Sequence, residues 1–289
     1  MTLHWPSRFP CVIASLIMIS GFATPCSVEA QAFAEGKFRA SAPAYSKELP
    51  KVRSGEPVLS FNGKDLTGFY SYTHNNKFED PQQVFTVKDG LLVISGEDFG
   101  AVTTKGVYKN YHLVTEWRWG PRTFAPRKDK SRDSGILLHC VGENGAVGGH
   151  WMESQECQII EGGCGDFIMV AGKNKPSLNC VIRKSGSAMI FDPEKGKDET
   201  HNSGRYDWWG RDPKWKDVLG FRGERDVEAP FGDWNRIEVV CDGDTITNIV
   251  NGYVVNIGTK SSHTEGKLQF QSEGAEIQFR KIEIRPLIK

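Results

Sequence analysis

The stretch Thr245–Ile257 reads TITNIV, NG, YVVNI, which is two runs rich in β-branched residues around Asn251-Gly252. An Asn-Gly pair between two such runs is typical of a type I′ turn, because both turn positions need a positive φ that Asn and Gly tolerate. The stretch therefore predicts a β-hairpin. A second hairpin is predicted over Val84–Ser95, with Asp89-Gly90 as its turn.

The segments around these hairpins also have strand patterns. Every second residue from Tyr111 to Trp119 is expected on one face of a strand, because side chains alternate along β-structure. Further strands are predicted at SGILLHC, QECQII, DFIMVA, NCVIR, RIEVVC, KLQFQS and EIQFRKIEI. Long amphipathic helical windows are absent from the sequence. Many short strands in a chain of this size favour an all-β fold, a β-sandwich or jelly roll.

The composition excludes several classes of protein. The chain has 289 residues, with 36 Lys and Arg against 36 Asp and Glu, so its formal net charge is zero. A nucleic-acid-binding protein usually has a basic excess, and a disordered chain combines low hydrophobicity with high net charge. Hydrophobic residues make up 38%, which is ordinary for a globular protein. We therefore expect no nucleic-acid partner, and a neutral protein suits an uncharged ligand.

The N-terminus has the pattern of an export signal. Arg8 precedes an apolar run, Cys11–Ala23, which is too short to span a membrane but suits a signal peptide followed by small residues at a cleavage site. We predict a signal peptide over residues 1–30, a polar linker over 31–55 and one domain over 56–289. An N-terminal anchor or a core helix is the alternative. No later segment reaches membrane-spanning length, so the mature chain is expected to have no membrane span.

Removal of the signal peptide leaves five cysteines, an odd number, so at least one thiol has no partner within the chain. Their spacing matches no zinc motif. Buried thiols acting as small apolar side chains are the simplest interpretation. A Cys164–Cys180 disulfide stays open for an exported protein.

Two stretches interrupt the strand pattern. Residues 120–133 are basic and contain two prolines, which predicts an exposed loop. Residues 192–232 are polar and aromatic with little periodicity, and we predict a long ordered loop that covers part of a functional site. An insertion packed for stability is the alternative.

A group of carboxylates in HWMESQECQIIEGGCGDF is the main chemical feature. In a strand, Glu156 and Gln158 share one face, and a bulge near Ile160 would bring Glu161 to the same side. If SGILLH pairs with QECQII, His139 is expected to approach Glu156 or Gln158. A polar strand face suits a sugar-binding cleft, and a carboxylate among aromatic residues has a raised pKa and can act as a base. An ordinary solvated strand face is the alternative.

The run E-C-Q-I-I-E resembles the catalytic strand of laminarinase- and lichenase-type glucanases, which has the form E-x-D-x-x-E. In those enzymes the outer carboxylates act as nucleophile and acid in retaining hydrolysis. Here Gln158 replaces the central Asp. This departure argues against direct glycosidase chemistry and leaves the shared jelly-roll architecture.

A broader resemblance extends roughly from residue 57 to residue 288. Its motifs are, in order, FNGKDLTGF, VKDGLLVISG, SGILLHCVG, WMESQECQIIEGGCGDF, DWNRIEVVCDGD, VNGYVVN and EIQFRKIEIRPL. Together they resemble the 3-keto-disaccharide hydrolase domain family. The resemblance implies a concanavalin A-like jelly roll of two antiparallel sheets. It also implies an exported bacterial protein, periplasmic or extracellular, whose partner is a carbohydrate, an oxidised disaccharide or glycoside.

The chemistry implied by this resemblance begins at a ketone on sugar C3, which acidifies the C2 hydrogen. A base removes that proton, and the resulting enolate expels the group at C1, after which water can add. We expect Glu156 to be the base, with Glu153 or Glu161 as alternatives. His139 or His150 is expected as acid or oxyanion donor.

The remaining expected site residues bind substrate. Gln158 can hydrogen-bond sugar hydroxyls, and Trp151 can stack on a sugar ring. The long loop is expected to contribute Arg205, Trp208 and Arg222 to sugar or enolate binding.

No cofactor is firmly predicted, although an oxygen-rich group of Glu153, Glu156, Glu161 and Asp166 could hold a divalent metal ion that stabilises the enolate. His139 or His150 could join such a site. Two other functions stay open. One is a noncatalytic, lectin-like carbohydrate-binding module, since fold does not fix function. The other is a classical retaining β-glucanase.

Overall fold

The structure is a computed structural model, and it describes residues 41–288 of the chain. The predicted signal peptide and the first part of the predicted linker lie outside the described residues. Within 41–55, a short 3₁₀ turn, Ala44–Lys47, is followed by extended chain. Tyr45 packs edge-on against Phe191, and the backbone N–H of Gly55 donates to Pro286 O at 2.9 Å. This segment therefore packs against the folded domain.

Nineteen strands make up nearly all the regular structure of the described residues. They are β1 (Leu59–Ser60), β2 (Phe69–Thr73), β3 (Phe85–Lys88), β4 (Leu91–Ile94), β5 (Gly100–Thr104), β6 (Tyr108–Lys109), β7 (Tyr111–Thr123), β8 (Asp133–Val141), β9 (Glu153–Ile160), β10 (Phe167–Val170), β11 (Leu178–Ser185), β12 (Ala188–Phe191), β13 (Lys197–His201), β14 (Gly204–Tyr206), β15 (Asn235–Asp242), β16 (Thr245–Val250), β17 (Tyr253–Thr259), β18 (Glu265–Ser272) and β19 (Ala275–Pro286). In residues 41–288 no helix is long and apolar enough to cross a membrane.

The strands form two large antiparallel sheets. Sheet A has the order β12-β11-β17-β16-β15-β7-β19-β4-β3, with β1 added to β19 and β13 added to β11. Sheet B has the order β14-β10-β9-β8-β18-β5-β2, with β6 added to β18. Many neighbouring strands are distant in sequence, as in a jelly roll. The predicted all-β jelly-roll sandwich of two antiparallel sheets is confirmed.

Both predicted hairpin turns are confirmed. Asn251 and Gly252 have φ values of 47° and 82° between β16 and β17, and Asp89 and Gly90 have 52° and 79° between β3 and β4. Two successive positive φ values define a type I′ turn, whose twist matches that of the flanking strands.

A single large core lies between the two sheets. Tyr111, Leu113 and Trp117 of β7 enter it from sheet A, and Cys157 and Ile159 of β9 enter it from sheet B. These side chains are at most 1% exposed, and each fully buried large apolar side chain contributes about 1.5–3 kcal/mol. Because side chains alternate along a strand, the even-numbered residues of β9 point away from this core. We call the face that they occupy the outer face of sheet B.

The prediction of a strand-free loop over 192–232 is wrong in its first part. Residues 197–201 form β13 beside β11, and residues 204–206 form β14 beside β10. The segment KDETH is polar because it lies at a largely exposed sheet edge, so hydrophobic periodicity gives no signal there. The irregular loop is therefore shorter and runs from Asp207 to Trp234.

The five cysteines in the described part of the chain are all free and buried. Cys164 and Cys180 both belong to the inter-sheet core and form no disulfide. They act as small apolar side chains, and burial raises the pKa of both thiols well above the usual range.

Candidate functional site

The outer face of sheet B brings together residues from four strands. Glu156 of β9 lies opposite Leu137 of β8 and Ile168 of β10, and Ile168 in turn lies opposite Arg205 of β14. One step along the strands, Gln158 lies opposite Gly135. The outer face therefore presents Glu156 between two apolar neighbours, with an arginine at the end of the same row.

Gly135 creates the space in which the carboxylate of Glu156 lies. A Cβ atom at position 135 would overlap Oε1 of Glu156, and it would also overlap Oε1 of Gln271 on β18. A glycine within a strand often marks such a close approach. Glu156 and Gln271 therefore reach over β8 from opposite sides and end in the same small space.

The polar atoms around Gly135 lack hydrogen-bond partners, although they are buried. Among the described residues, no partner exists for Oε1 of Glu156, Oδ1 of Asp133 or either amide atom of Gln271. Glu156 is 3% exposed and Gln271 is 0% exposed. Buried polar groups are paired in the large majority of cases, so a cluster of unpaired ones indicates a site that binds a polar ligand.

The carboxyl groups of this cluster hold their protons unusually tightly. Burial and the neighbouring Asp133 together raise the pKa of Glu156 to about 8, against the effect of Arg205. Burial also raises the pKa of Asp133 to about 7, against the effect of Arg127 and Arg205. At the rim, the half-buried Glu273 has a pKa well above its usual range because of burial and the neighbouring Asp133 and Glu156. A carboxyl with a pKa near neutrality can both accept and return a proton.

Two arginines partly oppose the rise in these pKa values. Arg127 approaches Oδ2 of Asp133 at 3.1 Å and Oδ1 of Asp217 at 2.9 Å, with only 14% of its side chain exposed. Arg205 is 28% exposed and lies 3.6 Å from Oδ2 of Asp166. The prediction that residues 120–133 form an exposed loop is therefore wrong at both ends and at Arg127. β7 continues to Thr123, residues 131–133 are buried, and the Arg127 guanidinium folds inward onto the buried Asp133 and the half-buried Asp217.

Asp166 ties the loop after β14 to the site. It is fully buried, accepts a hydrogen bond from the backbone N–H of Trp208 at 2.7 Å and forms an ion pair with Arg211. Trp208 is itself 1% exposed and belongs to the inter-sheet core. The expectation that Trp208 stacks on a sugar is therefore corrected, because its ring is packed inside the protein.

Glu153 and Glu161 are used as structural anchors. Glu153 accepts hydrogen bonds from the backbone and side-chain N–H groups of Asn174. Glu161 forms a buried ion pair with Arg132 at 2.7 Å and accepts from the backbone N–H of Gly220 at 2.8 Å. The expected bulge near Ile160 is absent, since the pairing of β8 with β9 continues in register there. Glu161 therefore lies in the turn after β9, where Arg132 and Gly220 hold its carboxylate.

His139 does not approach Glu156 as expected. The register between β8 and β9 shifts between Leu138 and Val141, and His139 has a φ of 52°. This irregularity turns the imidazole toward the core, where it packs edge-on against Tyr111 at 5.5 Å. His139 is fully buried, and burial lowers its pKa to about 4.

His150 and Trp151 form an aromatic group at the margin of the outer face. Trp151 stacks on Phe99, and its ring lies 4.3 Å from that of His150. Trp151 also packs on a small apolar cluster that contains Leu137 and Ile168, the two neighbours of Glu156. Burial and the adjacent His74 lower the pKa of His150 to about 4. Trp151 thus packs against the apolar cluster that borders Glu156, and His150 packs against Trp151.

Arg222 lies away from this face. Its guanidinium donates to the backbone carbonyls of Ala229 at 2.9 Å and Glu228 at 2.6 Å, and it lies 3.5 Å from Asp226. These contacts close a turn within the loop. Arg222 is therefore a structural residue of that loop, contrary to the expectation from sequence.

The residues suggested for a divalent metal site are not arranged as a set of ligands. Over residues 41–288, no group of three or more His, Cys, Asp or Glu side chains is arranged to hold a metal ion. The four carboxylates considered for it diverge, because Glu153, Glu161 and Asp166 each have other partners.

Sequence reasoning missed Asp133, Gly135, Gln271 and Glu273. A local signal existed for two of them, since KLQFQSE alternates polar and apolar residues and places Gln271 and Glu273 on one face. The pairing of β18 with β8, which brings them to Glu156, has no local signal.

Comparison with known proteins adds to this description. A sequence model of the 3-keto-alpha-glucoside-1,2-lyase-like domain matches residues 56–285. A comparison with curated proteins finds no match.

Solved structures with a similar arrangement include a candidate glycosyl hydrolase from Parabacteroides distasonis, with 20% identity, coverage of 79% of this chain and 92% of that chain, and a TM-score of 0.44. Porphyranase B from Zobellia galactanivorans shares 10% identity over 86% and 98% of the chains, with a TM-score of 0.44. The carbohydrate-binding module CBM66 from Bacillus subtilis shares 6% identity over 75% and 95%, with a TM-score of 0.42.

Proposed function

Because the chain belongs to the 3-keto-alpha-glucoside-1,2-lyase-like domain family, a family of carbohydrate-active domains, we propose that it cleaves 3-keto-glycosides by elimination. The observation that carries the proposal is the carboxyl of Glu156. It is buried beside Gly135, its Oε1 has no partner among the described residues, and burial raises its pKa to about 8. Such a group is suited to take a weakly acidic proton from carbon.

The reaction has two steps. Glu156 removes the proton from C2, and the electrons of that bond form a C2–C3 double bond while the C3 carbonyl oxygen becomes an enolate. The enolate then re-forms the carbonyl, a C1–C2 double bond forms, and the C1–O bond breaks. The leaving oxygen takes the proton held by Glu156, so the carboxylate is regenerated. Addition of water to the new double bond gives the free 3-keto sugar.

Arg205 has the position and charge to assist this chemistry. It lies at the end of the row that contains Glu156, it is partly exposed, and it lowers the pKa of the carboxyl. A cation near the developing enolate stabilises the transition state more than the neutral ketone. Gln158 and Trp151 complete the proposed site, the first as a hydrogen-bonding side chain on the outer face and the second as a wall for the sugar ring.

The proposal extends to location and domain organisation. We assign residues 1–30 to an export signal on the pattern of Arg8 and the apolar run Cys11–Ala23, which places the mature protein in the periplasm or outside the cell. The single catalytic domain comprises residues 56–289, in line with the matched range.

The two alternative functions differ from this proposal in testable ways. A retaining glucanase of the E-x-D-x-x-E type needs the outer carboxylates Glu156 and Glu161 to face the same sugar, and Glu161 is instead buried in an ion pair with Arg132. A lectin-like module needs no buried carboxyl with a raised pKa, whereas the site described here contains one.

A comparison of substrates tests the proposal. Purified protein is incubated with a 3-keto-glucoside, with the parent glucoside and with an unoxidised β-glucan, and release of the C1 group is followed by chromatography. We expect release only from the 3-keto-glucoside, because only its C2 hydrogen is acidified. Release of reducing ends from the β-glucan would contradict the proposal in favour of a glucanase. Binding without cleavage of any of the three would contradict it in favour of a lectin-like module.

A further inference from the structure

Two glutamines on β18 point to the same face of the sheet, but only one of them has hydrogen-bond partners for its side-chain amide. Gln269 and Gln271 are two residues apart on the outer face of sheet B, and both are fully buried. Oε1 of Gln269 accepts from the backbone N–H of Met152 at 2.9 Å, and its Nε2 donates to Oγ1 of Thr103 at 3.0 Å. Gln269 is therefore a structural residue whose amide is satisfied on both sides.

Gln271 has no such partners. Neither its Nε2 nor its Oε1 finds a hydrogen-bond partner within residues 41–288. Its backbone is nevertheless fixed, because its carbonyl accepts from Oγ of Ser134 at 3.0 Å and its register is set by pairing with Ala101. A buried amide without partners destabilises the folded protein, which indicates that it is retained for another purpose.

The position of the amide identifies that purpose. Oε1 of Gln271 and Oε1 of Glu156 both occupy the space above Gly135, where a Cβ would overlap each of them. In a 3-keto sugar, the C2 hydrogen and the C3 carbonyl are on adjacent atoms. A substrate whose C2 hydrogen faces Glu156 therefore directs its carbonyl toward a group immediately beside that carboxyl.

We infer that Gln271 binds the reacting end of the substrate, a carbonyl beside a hydroxyl on a neutral sugar ring. Its Oε1, which lies beside Glu156, accepts the hydrogen of the C2 hydroxyl, and its Nε2–H donates to the C3 carbonyl oxygen, which becomes the enolate oxygen. The amide thereby stabilises the enolate and selects sugars that retain the C2 hydroxyl. This inference rests on the proposed function. It adds a neutral hydrogen-bond donor for the enolate oxygen to the positive charge of Arg205.

A stability measurement tests the first half of the inference without any substrate. Gln271→Leu replaces an unpaired buried amide by an apolar group of similar size, so we expect the melting temperature to rise by roughly 2–6 °C. The matched variant Gln269→Leu removes two formed hydrogen bonds, so its melting temperature is expected to fall. A fall of similar size in both variants would overturn the inference, because it would mean that the Gln271 amide is paired inside the folded protein.

A kinetic measurement tests the second half. On a 3-keto-glucoside, Gln271→Leu should lower kcat by about 100-fold, the usual effect of losing one donor to an oxyanion. Wild-type protein should cleave the 2-deoxy analogue about 10- to 100-fold less efficiently, and Gln271→Leu should lose this discrimination. If wild-type protein cleaves the 3-keto-glucoside and Gln271→Leu does so equally well, the inference fails while the proposed function stands. If wild-type protein cleaves no 3-keto sugar, the proposed function fails and the inference fails with it.

Discussion

Glu156→Gln is expected to lower turnover of a 3-keto-glucoside by at least ~100-fold, the low end of what a general base contributes. The amide has nearly the shape of the carboxyl but cannot take the C2 proton. The fold should be retained, because position 156 is buried and the folded protein already favours an uncharged side chain there. The comparison is made by steady-state kinetics and by circular dichroism of both proteins.

The pH dependence follows from the same carboxyl. Only the ionised form of Glu156 accepts a proton, so kcat/KM of the wild-type protein should rise with pH and level off above about 8. Stability should change in the opposite direction. A folded-state pKa of about 8 above the ordinary 4.5 means that the folded protein binds the proton more tightly, so stability is lost as pH rises from 4.5 through 8.

Glu156→Gln should remove the rise of kcat/KM with pH and weaken the loss of stability, to which Asp133 and Glu273 also contribute, since each pKa unit corresponds to about 1.4 kcal/mol of preference for the protonated form. Glu265→Gln provides the control, because that carboxylate is 60% exposed on the same sheet and its ion pair with Lys109 is long at 3.7 Å. The control should match the wild-type protein in rate and stability. A fully active Glu156→Gln protein would exclude Glu156 as the base.

Gly135→Ala is expected to reduce activity by about 100-fold without reducing stability. Position 135 lies within β8 and does not have a positive φ, so alanine suits its backbone. The added methyl group would occupy the space of the Glu156 and Gln271 side-chain oxygens, which are the ends of flexible side chains and must move aside. A displacement of about 1 Å at reacting groups is enough for a loss of this size.

The matched control for this variant is Gly223→Ala. Gly223 also lacks a positive φ. The nearest atom to an added methyl group there is Cβ of Asp212 at 3.1 Å, and the other near atoms belong to Asp212 and Phe221, which are not on the outer face of sheet B. Both variants are compared with the wild-type protein by melting temperature and by kcat/KM on the same 3-keto-glucoside. Wild-type kcat/KM in Gly135→Ala would show that the space above Gly135 is not where the reaction occurs.

Local sequence patterns predicted the parts of the fold that depend on neighbouring residues. The two type I′ turns follow from Asn-Gly and Asp-Gly, and the orientation of Glu156 follows from alternation along β9. Alternation failed at His139, because the register shift in β8 has no signature in SGILLHC. It also failed for β13, where an edge strand of polar residues is stabilised by backbone hydrogen bonds to β11.

The composition of the site depends on pairing between distant segments. Gln271 meets Glu156 because β18 and β9 both pair with β8, although the two residues are separated by more than a hundred positions. Trp208 was expected at the surface as a sugar platform, but its contact with Asp166 holds it in the core. Arg127 was predicted to lie in an exposed basic loop, but it forms ion pairs with Asp133 and Asp217, which are contacts that local periodicity cannot detect.

The fate of the C2 hydrogen tests the central claim most directly. The protein is given a 3-keto-glucoside that carries deuterium at C2, and mass spectrometry follows the label in the sugar product while chromatography follows the C1 group. We predict that deuterium is lost to solvent as the C1 group is released, and that cleavage is slower than with the unlabelled sugar. Release of the C1 group with the deuterium fully retained at C2 would contradict proton abstraction by Glu156 and the elimination that depends on it.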